Sequence, residues 1–340
     1  MKTTPLELKS NMYFCSDRFS VTLLKSPMTY LLVAAILFIL MLLYFRIADS
    51  FNIIDKPNER SSHTKVTIRG AGIIFLMAMI LDYIIYPQYG LPVLGACTIG
   101  TISFIDDRIT LSSKIRILVH LVAVSLMFYY LQLYGNYPWW GIVALYILVI
   151  GIINAYNFMD GINGITGLYS LVVLAGLQYV NLYQVSFIEP DMIWYPMVGC
   201  GVFLFFNLRR NAKCFAGDVG SVTMAFWILL LLLKLILQSD NWIYLLFLTV
   251  YGVDSILTIM HRLLLRQNIF DAHRLHFYQI LANEQKLSHV IVSILYALLQ
   301  SAIIALILFS GASVLWIFLF TAVPLGLLYI ILKPRLMQGK

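Results

Sequence analysis

Charged side chains are scarce in this sequence. Only 11% of the 340 residues are Asp, Glu, Lys or Arg, and 61% are hydrophobic. Because soluble domains carry about 25% charged residues, this composition excludes an ordinary soluble fold. It predicts an all-α fold, a polytopic helical bundle in a bilayer, since helices satisfy their own backbone hydrogen bonds in lipid.

Cysteine is also rare. The four cysteines, at positions 15, 97, 200 and 214, show no paired or metal-type spacing. This spacing argues against a disulfide framework and against a zinc site. The formal charge of +7 does not indicate a nucleic-acid partner, since membrane proteins gather Lys and Arg in their cytoplasmic loops.

Apolar runs recur from residue 28 to residue 332, which we interpret as one integral membrane domain. A polar tail, 1–27, precedes this domain and a short tail, 333–340, follows it. About eleven runs are apolar enough for transmembrane helices, with ten as the alternative, and the shorter ones suggest tilted or broken helices. The runs cover residues 28–45, 70–86, 90–105, 115–134, 139–153, 165–184, 192–208, 219–238, 241–260, 288–309 and 311–332.

Lys and Arg are missing from every second connection between these runs. The connections around 87–90, 135–138, 185–191, 239–240 and 310 contain neither residue. By the positive-inside rule, the other connections, which contain Lys and Arg, and the C-terminal tail are cytoplasmic. The predicted cytoplasmic loops are about 46–69, 106–114, 154–164, 209–218 and 261–287. The same rule puts the N-terminal tail outside, although its own basic residues disagree with that placement.

The unusual polar clusters all fall in the loops predicted to be cytoplasmic. Asp106 and Asp107 end the third run, and paired carboxylates beside lipid are costly unless a cation relieves their repulsion. Mg²⁺ shared with phosphate ligands is a natural relief. The alternative is a solvated turn.

A second cluster stands in residues 154–167, NAYNFMDGINGITG. Asn154, Asn157, Asp160 and Asn163 recur every three residues, so two or three of them can share a helical face but all four cannot. The glycines between and after them indicate that the helix ends there. A plain loop with helix caps is the alternative interpretation.

Two further motifs carry candidate ligands for phosphate. In 215–221, FAGDVGS, Asp218 stands among glycines at a predicted helix start, which is typical of a phosphate cradle but also of a simple cap. In 273–281, HRLHFYQIL, His273, Arg274 and His276 suit phosphate recognition, with an ordinary amphipathic loop as the alternative.

The first cytoplasmic loop contains DKPNERSSH, residues 55–63, followed by RGAG, residues 69–72. This loop has the composition either of a basic segment that binds anionic lipid or of a site that binds a lipid-linked phosphate. Arg69 is the best candidate for the second role.

Together, FIDDR, NAYNFMDGINGITG, FAGDVGS and HRLHFYQIL, in this order, resemble the polyprenyl-phosphate N-acetylhexosamine-1-phosphate transferases. The resemblance runs from about residue 55 to residue 279. It implies Asp106 and Asp107 as the catalytic pair and Asp218 with Asp107 as ligands of Mg²⁺ or Mn²⁺. It also implies substrate binding by two groups of residues. We call them the amide cluster (Asn154, Asn157, Asp160 and Asn163) and the histidine motif (His273, Arg274 and His276). Many members have an aspartate where this chain has Asn163, which puts any metal role for that position in doubt.

The reaction implied is transfer of a sugar-1-phosphate from a UDP-N-acetylhexosamine to undecaprenyl phosphate, with release of UMP. The resemblance further implies a bacterial inner membrane location and cell-surface polysaccharide synthesis, and it leaves a homodimer open. The competing hypothesis is a polytopic transporter or a non-catalytic membrane scaffold. A transporter needs polar residues lining a path at mid-membrane, whereas the clusters here gather at one end of the runs.

Overall fold

The structure is a computed structural model that describes residues 27–55, 66–109, 111–268 and 274–337. The described residues therefore leave out most of the N-terminal tail, much of the first loop predicted to be cytoplasmic, His273 and the last three residues. The described part contains eleven helices of 13 residues or more. They are α1 (Pro27–Ser50), α2 (Ile73–Ile85), α3 (Gly90–Arg108), α4 (Ser113–Tyr130), α5 (Trp139–Phe158), α6 (Ile165–Tyr183), α7 (Asp191–Asn207), α8 (Gly217–Ser239), α9 (Thr249–Leu264), α10 (His289–Phe309) and α11 (Val314–Met337).

Each predicted apolar run contains one of these helices, so the polytopic all-α fold is confirmed. In the described residues, nine helices are long and apolar enough to cross a membrane, α3 and α9 being counted with the 3₁₀ turns Pro87–Tyr89 and Trp242–Leu248 that precede them. Helix α2 has only 13 residues and rises about 20 Å, less than the roughly 30 Å hydrocarbon core. The number of membrane crossings therefore stays a prediction.

Several helices extend beyond the predicted runs into the predicted loops and tails. Helix α1 continues to Ser50, and α11 continues to Met337, so residues 333–337 are helical rather than part of a tail. Long basic side chains can keep their charges in the interfacial region while their stems pack on apolar surface. A basic residue therefore does not end a helix, and the loops are shorter than the sequence predicts.

Helix α8 is the core of the bundle. It packs against α2, α3, α5 and α6, and nearly all of its residues are buried. A helix that is apolar on all sides is suited to such a position. Its first turn lies against the start of α2, where a Cβ on Gly72 would be 2.2 Å from the Cα of Gly220. Small residues let helices in membranes approach closely, and here they join the end of the loop before α2 to α8.

Two short strands add an element that the all-α prediction did not contain. β1 (Ile54–Asp55) pairs antiparallel with β2 (Thr67–Ile68), with Ile54 opposite Ile68. On its other side Ile68 forms a parallel bridge with Cys214, just before α8. The loop between α1 and α2 is thus tied to the segment that leads into α8.

The series of four polar residues is divided by the end of a helix. Helix α5 ends at Phe158, so Asn154 and Asn157 lie in its last turns while Asp160 and Asn163 follow it. Gly164 has φ +87°, a conformation that favours glycine, and α6 begins at the next residue. The predicted break in the helix is confirmed.

Candidate active site

The backbone around Arg69 is held from three directions. The Arg69 N–H donates to the carbonyl of Ile53 at 3.1 Å, and the Phe215 N–H donates to the carbonyl of Ile68 at 2.8 Å. The Tyr44 hydroxyl donates to the Arg69 carbonyl at 2.6 Å. Arg69 therefore starts from a fixed backbone position, which lowers the entropic cost of holding its long side chain in one place.

Asp107, near the end of α3, receives hydrogen bonds from Arg69 and from the start of α8. The Arg69 Nε donates to Oδ1 at 2.7 Å, and the N–H groups of Asp218 and Val219 donate to Oδ1 and Oδ2 at 3.1 and 3.2 Å. Its side chain has no exposed surface. The first N–H groups of a helix lack partners within it and attract negative charge, so Asp107 acts as a cap for α8. These two N–H groups are consequently bound to a carboxylate, rather than left open for phosphate.

Asp218 lies beside this contact and is more open. Its Oδ1 is 3.9 Å from the Arg69 Nη2, and 23% of its side chain is exposed. The approach needs glycine at position 217, where φ is +69° and a Cβ would lie 2.5 Å from the Asp107 Oδ2. One guanidinium is thus shared by two carboxylates that come from different helices.

Asp106 has other partners, although it is adjacent to Asp107. Its Oδ1 accepts from the Leu111 N–H at 2.7 Å, and its Oδ2 is 3.2 Å from the Arg116 Nη1. These contacts fix the connection from α3 to α4. The paired aspartates therefore face different neighbours, one toward α8 and the other toward α4.

Of the two asparagines on α5, Asn157 contacts another part of the candidate site. Its Oδ1 accepts from the Ser221 hydroxyl at 2.5 Å, which joins the end of α5 to the first turn of α8. Asn154 instead donates to the Ile150 carbonyl of its own helix at 2.9 Å. Its predicted role in substrate binding remains a prediction.

Asp160 follows α5 and lies within the electrostatic range of both other aspartates. Its Oδ1 accepts from the Thr166 hydroxyl at 2.5 Å. Burial raises the pKa of Asp160 to about 7; the Thr166 hydrogen bond opposes this shift, and the charges of Asp218 and Asp107 add to it. We call Asp107, Asp160 and Asp218, together with Arg69, the carboxylate cluster.

Asn163 is bound away from the carboxylate cluster. Its side-chain Nδ2 donates to the Arg209 carbonyl at 2.9 Å, and its backbone carbonyl accepts from the Ser293 hydroxyl at 2.8 Å. The residue is 5% exposed. Asn163 therefore joins the turn after α5 to the connection between α7 and α8 and to α10.

Asn207 makes a parallel connection that the sequence analysis missed. Its Oδ1 accepts from the Gly164 N–H at 2.6 Å and its Nδ2 donates to the Cys214 carbonyl at 2.7 Å. It is the last residue of α7 and is buried. A buried asparagine at the end of an apolar helix was the available signal, since such an amide needs partners.

The histidine motif is only partly described. His273 lies outside the described residues, and Arg274 is half-buried. His276 is 2% exposed, and its Nδ1 is 3.3 Å from Oδ1 of Asp254, a residue of α9. The described part of the motif therefore packs into the bundle instead of lying on its surface.

The carboxylate cluster has oxygen ligands of the kind that Mg²⁺ prefers. Within the described ranges, no three Asp, Glu, His or Cys side chains converge closely enough to hold a metal by themselves. Mg²⁺ commonly takes one or two carboxylates and completes its shell with phosphate oxygens and water. Asp218 offers a partly exposed carboxylate that lies 3.9 Å from the Arg69 guanidinium. The residues present thus fit a Mg²⁺ ion shared with a phosphate ligand.

Comparison with known proteins gives a family match over the centre of the chain. The sequence model of glycosyl transferase family 4 matches residues 89–236. This range includes Asp106, Asp107, the amide cluster and Asp218, but not Arg69 or the histidine motif.

Relatives of similar length extend the match. A probable undecaprenyl-phosphate N-acetylglucosaminyl 1-phosphate transferase of Bacillus subtilis (strain 168) is 25% identical over 253 residues, covering 68% of this chain and 70% of the relative. An undecaprenyl-phosphate alpha-N-acetylglucosaminyl 1-phosphate transferase of Yersinia pestis is 29% identical, covering 54% and 57%. Its Escherichia coli (strain K12) counterpart is 28% identical, covering 60% and 61%. The chain thus spans little more than half the length of the latter two.

Proposed function

We propose that the chain is a phospho-sugar transferase that acts on undecaprenyl phosphate, because the sequence model of glycosyl transferase family 4 matches residues 89–236. It transfers an N-acetylhexosamine-1-phosphate from a UDP-sugar and releases UMP. The names of the relatives support the acceptor and this type of reaction. The observation that carries the proposal is the carboxylate cluster, in which Arg69 lies between Asp107 and Asp218.

In this reaction an oxygen of the lipid phosphate attacks the phosphorus that bears the sugar. The bond from that phosphorus to the oxygen of UMP breaks, and UMP leaves with the electron pair. Phosphoryl transfer depends mainly on positioning and charge neutralisation. Bound Mg²⁺ supplies neutralisation of the phosphate oxygens, and Asp218 would hold it.

The protein's own residues would orient the two phosphates. The Arg69 guanidinium is fixed by Asp107 and is 36% exposed, so it can also bind a phosphate oxygen. The three contacts of Asp107 position Arg69 and the first turn of α8, and its predicted roles as a catalytic residue and as a metal ligand stay predictions. Asp106 holds the connection from α3 to α4 beside it. Arg274 and His276 are the candidates for the donor diphosphate.

The ends of the helices support an active site at one face of the membrane. Helices α3 and α5 end at the carboxylate cluster, and α8 begins there. Arg108 ends α3, Lys114 lies in the first turn of α4 and Arg209 follows α7, and the positive-inside rule makes this face cytoplasmic. A cytosolic UDP-sugar and a membrane lipid can meet at such a face. We therefore assign the protein to a bacterial inner membrane, at the first membrane step of cell-surface polysaccharide synthesis.

A transporter is not favoured, because the centre of the bundle is filled by apolar side chains. In α8, Phe226, Trp227 and Leu230 are fully buried. A transport path needs a polar, accessible site near the middle of the membrane. The bundle centre is instead packed as a core.

The proposed function is tested with purified protein, undecaprenyl phosphate, Mg²⁺ and a panel of UDP-N-acetylhexosamines. Mass spectrometry should detect an undecaprenyl-diphospho-sugar with one of the donors, and UMP should form in equal amount. The Asp218→Asn variant serves as the inactive control. Absence of both products with every donor, from a folded protein, would contradict the proposal.

A further inference from the structure

Helix α9 has a buried polar face. Asp254, Thr258 and Arg262 follow one another at four-residue intervals, and they are 3%, 0% and 3% exposed. Residues four apart in a helix lie on the same side, so these three form a stripe along α9. We call them the α9 stripe. Buried polar side chains in a membrane helix are costly unless they have partners.

Asp254 receives five contacts from three segments of the chain. Its Oδ1 lies 2.9 Å from the Phe277 N, 3.2 Å from the Thr258 Oγ1 and 3.3 Å from the His276 Nδ1. Its Oδ2 accepts from the Tyr296 hydroxyl at 2.7 Å and from the Tyr278 N–H at 3.3 Å. Two backbone N–H groups and one imidazole of the same motif therefore converge on one carboxylate.

The rest of the α9 stripe binds the loop that follows α9 and the last helix, α11. The Arg262 Nη2 donates to the Asn268 carbonyl at 2.6 Å, and the Gln267 N–H donates to the Arg262 carbonyl at 2.9 Å. Thr258 shares a hydrogen bond of 2.7 Å with the Tyr329 hydroxyl of α11. The stripe thus holds the loop on both sides of residues 269–273.

Tyr278 connects Asp254 to the turn that contains Asp160. Its N–H binds Asp254, and its hydroxyl donates to the Phe158 carbonyl at 2.9 Å. A Cβ on Gly161 would lie 2.2 Å from that hydroxyl, so the contact requires glycine there. A movement of the 276–278 segment would consequently reach the residues on either side of Asp160.

We propose that Asp254 is a positioning residue, which fixes the orientation of His276 and seats Tyr278 on the turn from Phe158 to Gly161. A carboxylate on one imidazole nitrogen fixes the ring and selects its tautomer. The effect on the loop is independent of the reaction, whereas the effect on turnover rests on the proposed function.

Asp254→Asn tests the proposal, with Asp191→Asn as the matched control. Asp191 is also a buried carboxylate, and it accepts from the hydroxyls of Tyr30 and Tyr86 at 2.8 and 3.1 Å, at the opposite end of α7 from Asn207. Hydrogen exchange followed by mass spectrometry reports on the backbone of residues 276–280. We expect exchange about 10-fold faster or more in Asp254→Asn and unchanged in Asp191→Asn.

Kinetics give the second measurement. In Asp254→Asn, kcat/KM for the UDP-sugar should fall about 10-fold or more, as it does for other residues that orient a functional side chain. KM for undecaprenyl phosphate should change less than about 2-fold. Equal losses in Asp191→Asn, or unchanged exchange in folded Asp254→Asn, would overturn the positioning role. If the wild-type protein transfers no sugar but the exchange difference appears, the proposed function fails while the positioning role stands.

Tyr296→Phe provides a milder change if Asp254→Asn does not fold. It removes one of the five contacts from the same carboxylate and leaves its charge in place. Faster exchange at residues 276–280 is expected here too, and exchange identical to that of the wild-type protein would overturn the proposal.

Discussion

Asp107 and Asp254 are both buried carboxylates, but their surroundings differ. Asp107 shares its guanidinium with a second carboxylate, Asp218, which is 23% exposed. Asp254 has five converging contacts from backbone N–H groups, hydroxyls and one imidazole. Around Asp107, one guanidinium therefore faces two carboxylates, so negative charge is in excess. Around Asp254, the five contacts satisfy the hydrogen-bonding capacity of a single carboxylate.

This difference separates a binding site from a structural contact. A buried carboxylate with complete hydrogen bonding has little affinity left for a ligand, because its lone pairs are occupied. Carboxylates that repel each other gain when a cation arrives. We therefore expect the carboxylate cluster to bind metal and phosphate, and the α9 stripe to hold the loop that faces them.

The largest effect should follow from Asp218→Asn. The substitution keeps the volume of the side chain but removes the partly exposed charge, so turnover should fall about 100-fold or more, equivalent to roughly 3 kcal/mol. Activity of the wild-type protein should require Mg²⁺ or Mn²⁺ and disappear in EDTA. Turnover assays with and without chelator provide the measurement. Full activity of the variant in EDTA would contradict a metal-dependent reaction.

Arg69→Lys should reduce turnover about 30-fold, or roughly 2 kcal/mol. A lysine ammonium is a point charge and cannot bind Asp107 through one nitrogen while facing Asp218 with another. Arg116→Lys is the control, because Arg116 also pairs with an aspartate at 3.2 Å and has a similar exposure, 32% against 36%. Its turnover should stay within about 3-fold of the wild-type value. Equal losses in the two variants would show that the shared guanidinium has no special role.

Asp160 should make the stability of the metal-free protein depend on pH. Its pKa in the folded state is about 7, above the value of about 3.9 in an unfolded chain, so the folded state binds more protons between these values. The free energy of unfolding should therefore decrease as pH rises through this window. Thermal unfolding in detergent and EDTA, measured from about pH 5 to pH 8, should show a smaller slope for Asp160→Asn. An unchanged slope would contradict the raised pKa.

The smallest effect on turnover is expected for Asn163→Ala, which should act mainly on binding of the donor. The substitution removes the contact with the Arg209 carbonyl and should weaken use of the donor by roughly 1–3 kcal/mol. Asn181→Ala is the matched control, since Asn181 is a buried amide that binds Ile188 and Phe187 in the connection after α6. Both variants should lose stability, but only Asn163→Ala should raise KM for the UDP-sugar. Unchanged KM would make Asn163 a purely structural contact.

Much of the fold could be predicted from the sequence because lipid imposes a simple rule. An apolar run must form a helix, so every predicted run contains one, and glycines mark the end of α5 and the start of α6. The exact ends were less predictable. Arg46 did not stop α1, which continues to Ser50, and Lys333 did not stop α11, which continues to Met337. The strands β1 and β2 are only two residues long and leave no periodic signal.

The partners of the site residues were harder to predict. Asp107 caps a helix that begins 110 residues later, and Asp218 meets Arg69 from the first loop, so both contacts depend on helix packing. Sequence spacing carries no record of such contacts. The α9 stripe, by contrast, leaves a signal in the sequence, since Asp254 and Thr258 stand four residues apart in an apolar run and Arg262 follows four residues later.

Metal binding, measured without turnover, tests most directly whether the carboxylate cluster binds metal while the α9 stripe has a structural role. Mn²⁺ can be titrated into the wild-type protein, Asp218→Asn and Asp254→Asn in the presence of UMP, with bound Mn²⁺ followed by electron paramagnetic resonance. Asp218→Asn should weaken binding about 10-fold or more, whereas Asp254→Asn should bind within about 3-fold of the wild-type protein. Unchanged binding in Asp218→Asn, or an equal loss in folded Asp254→Asn, would contradict the account.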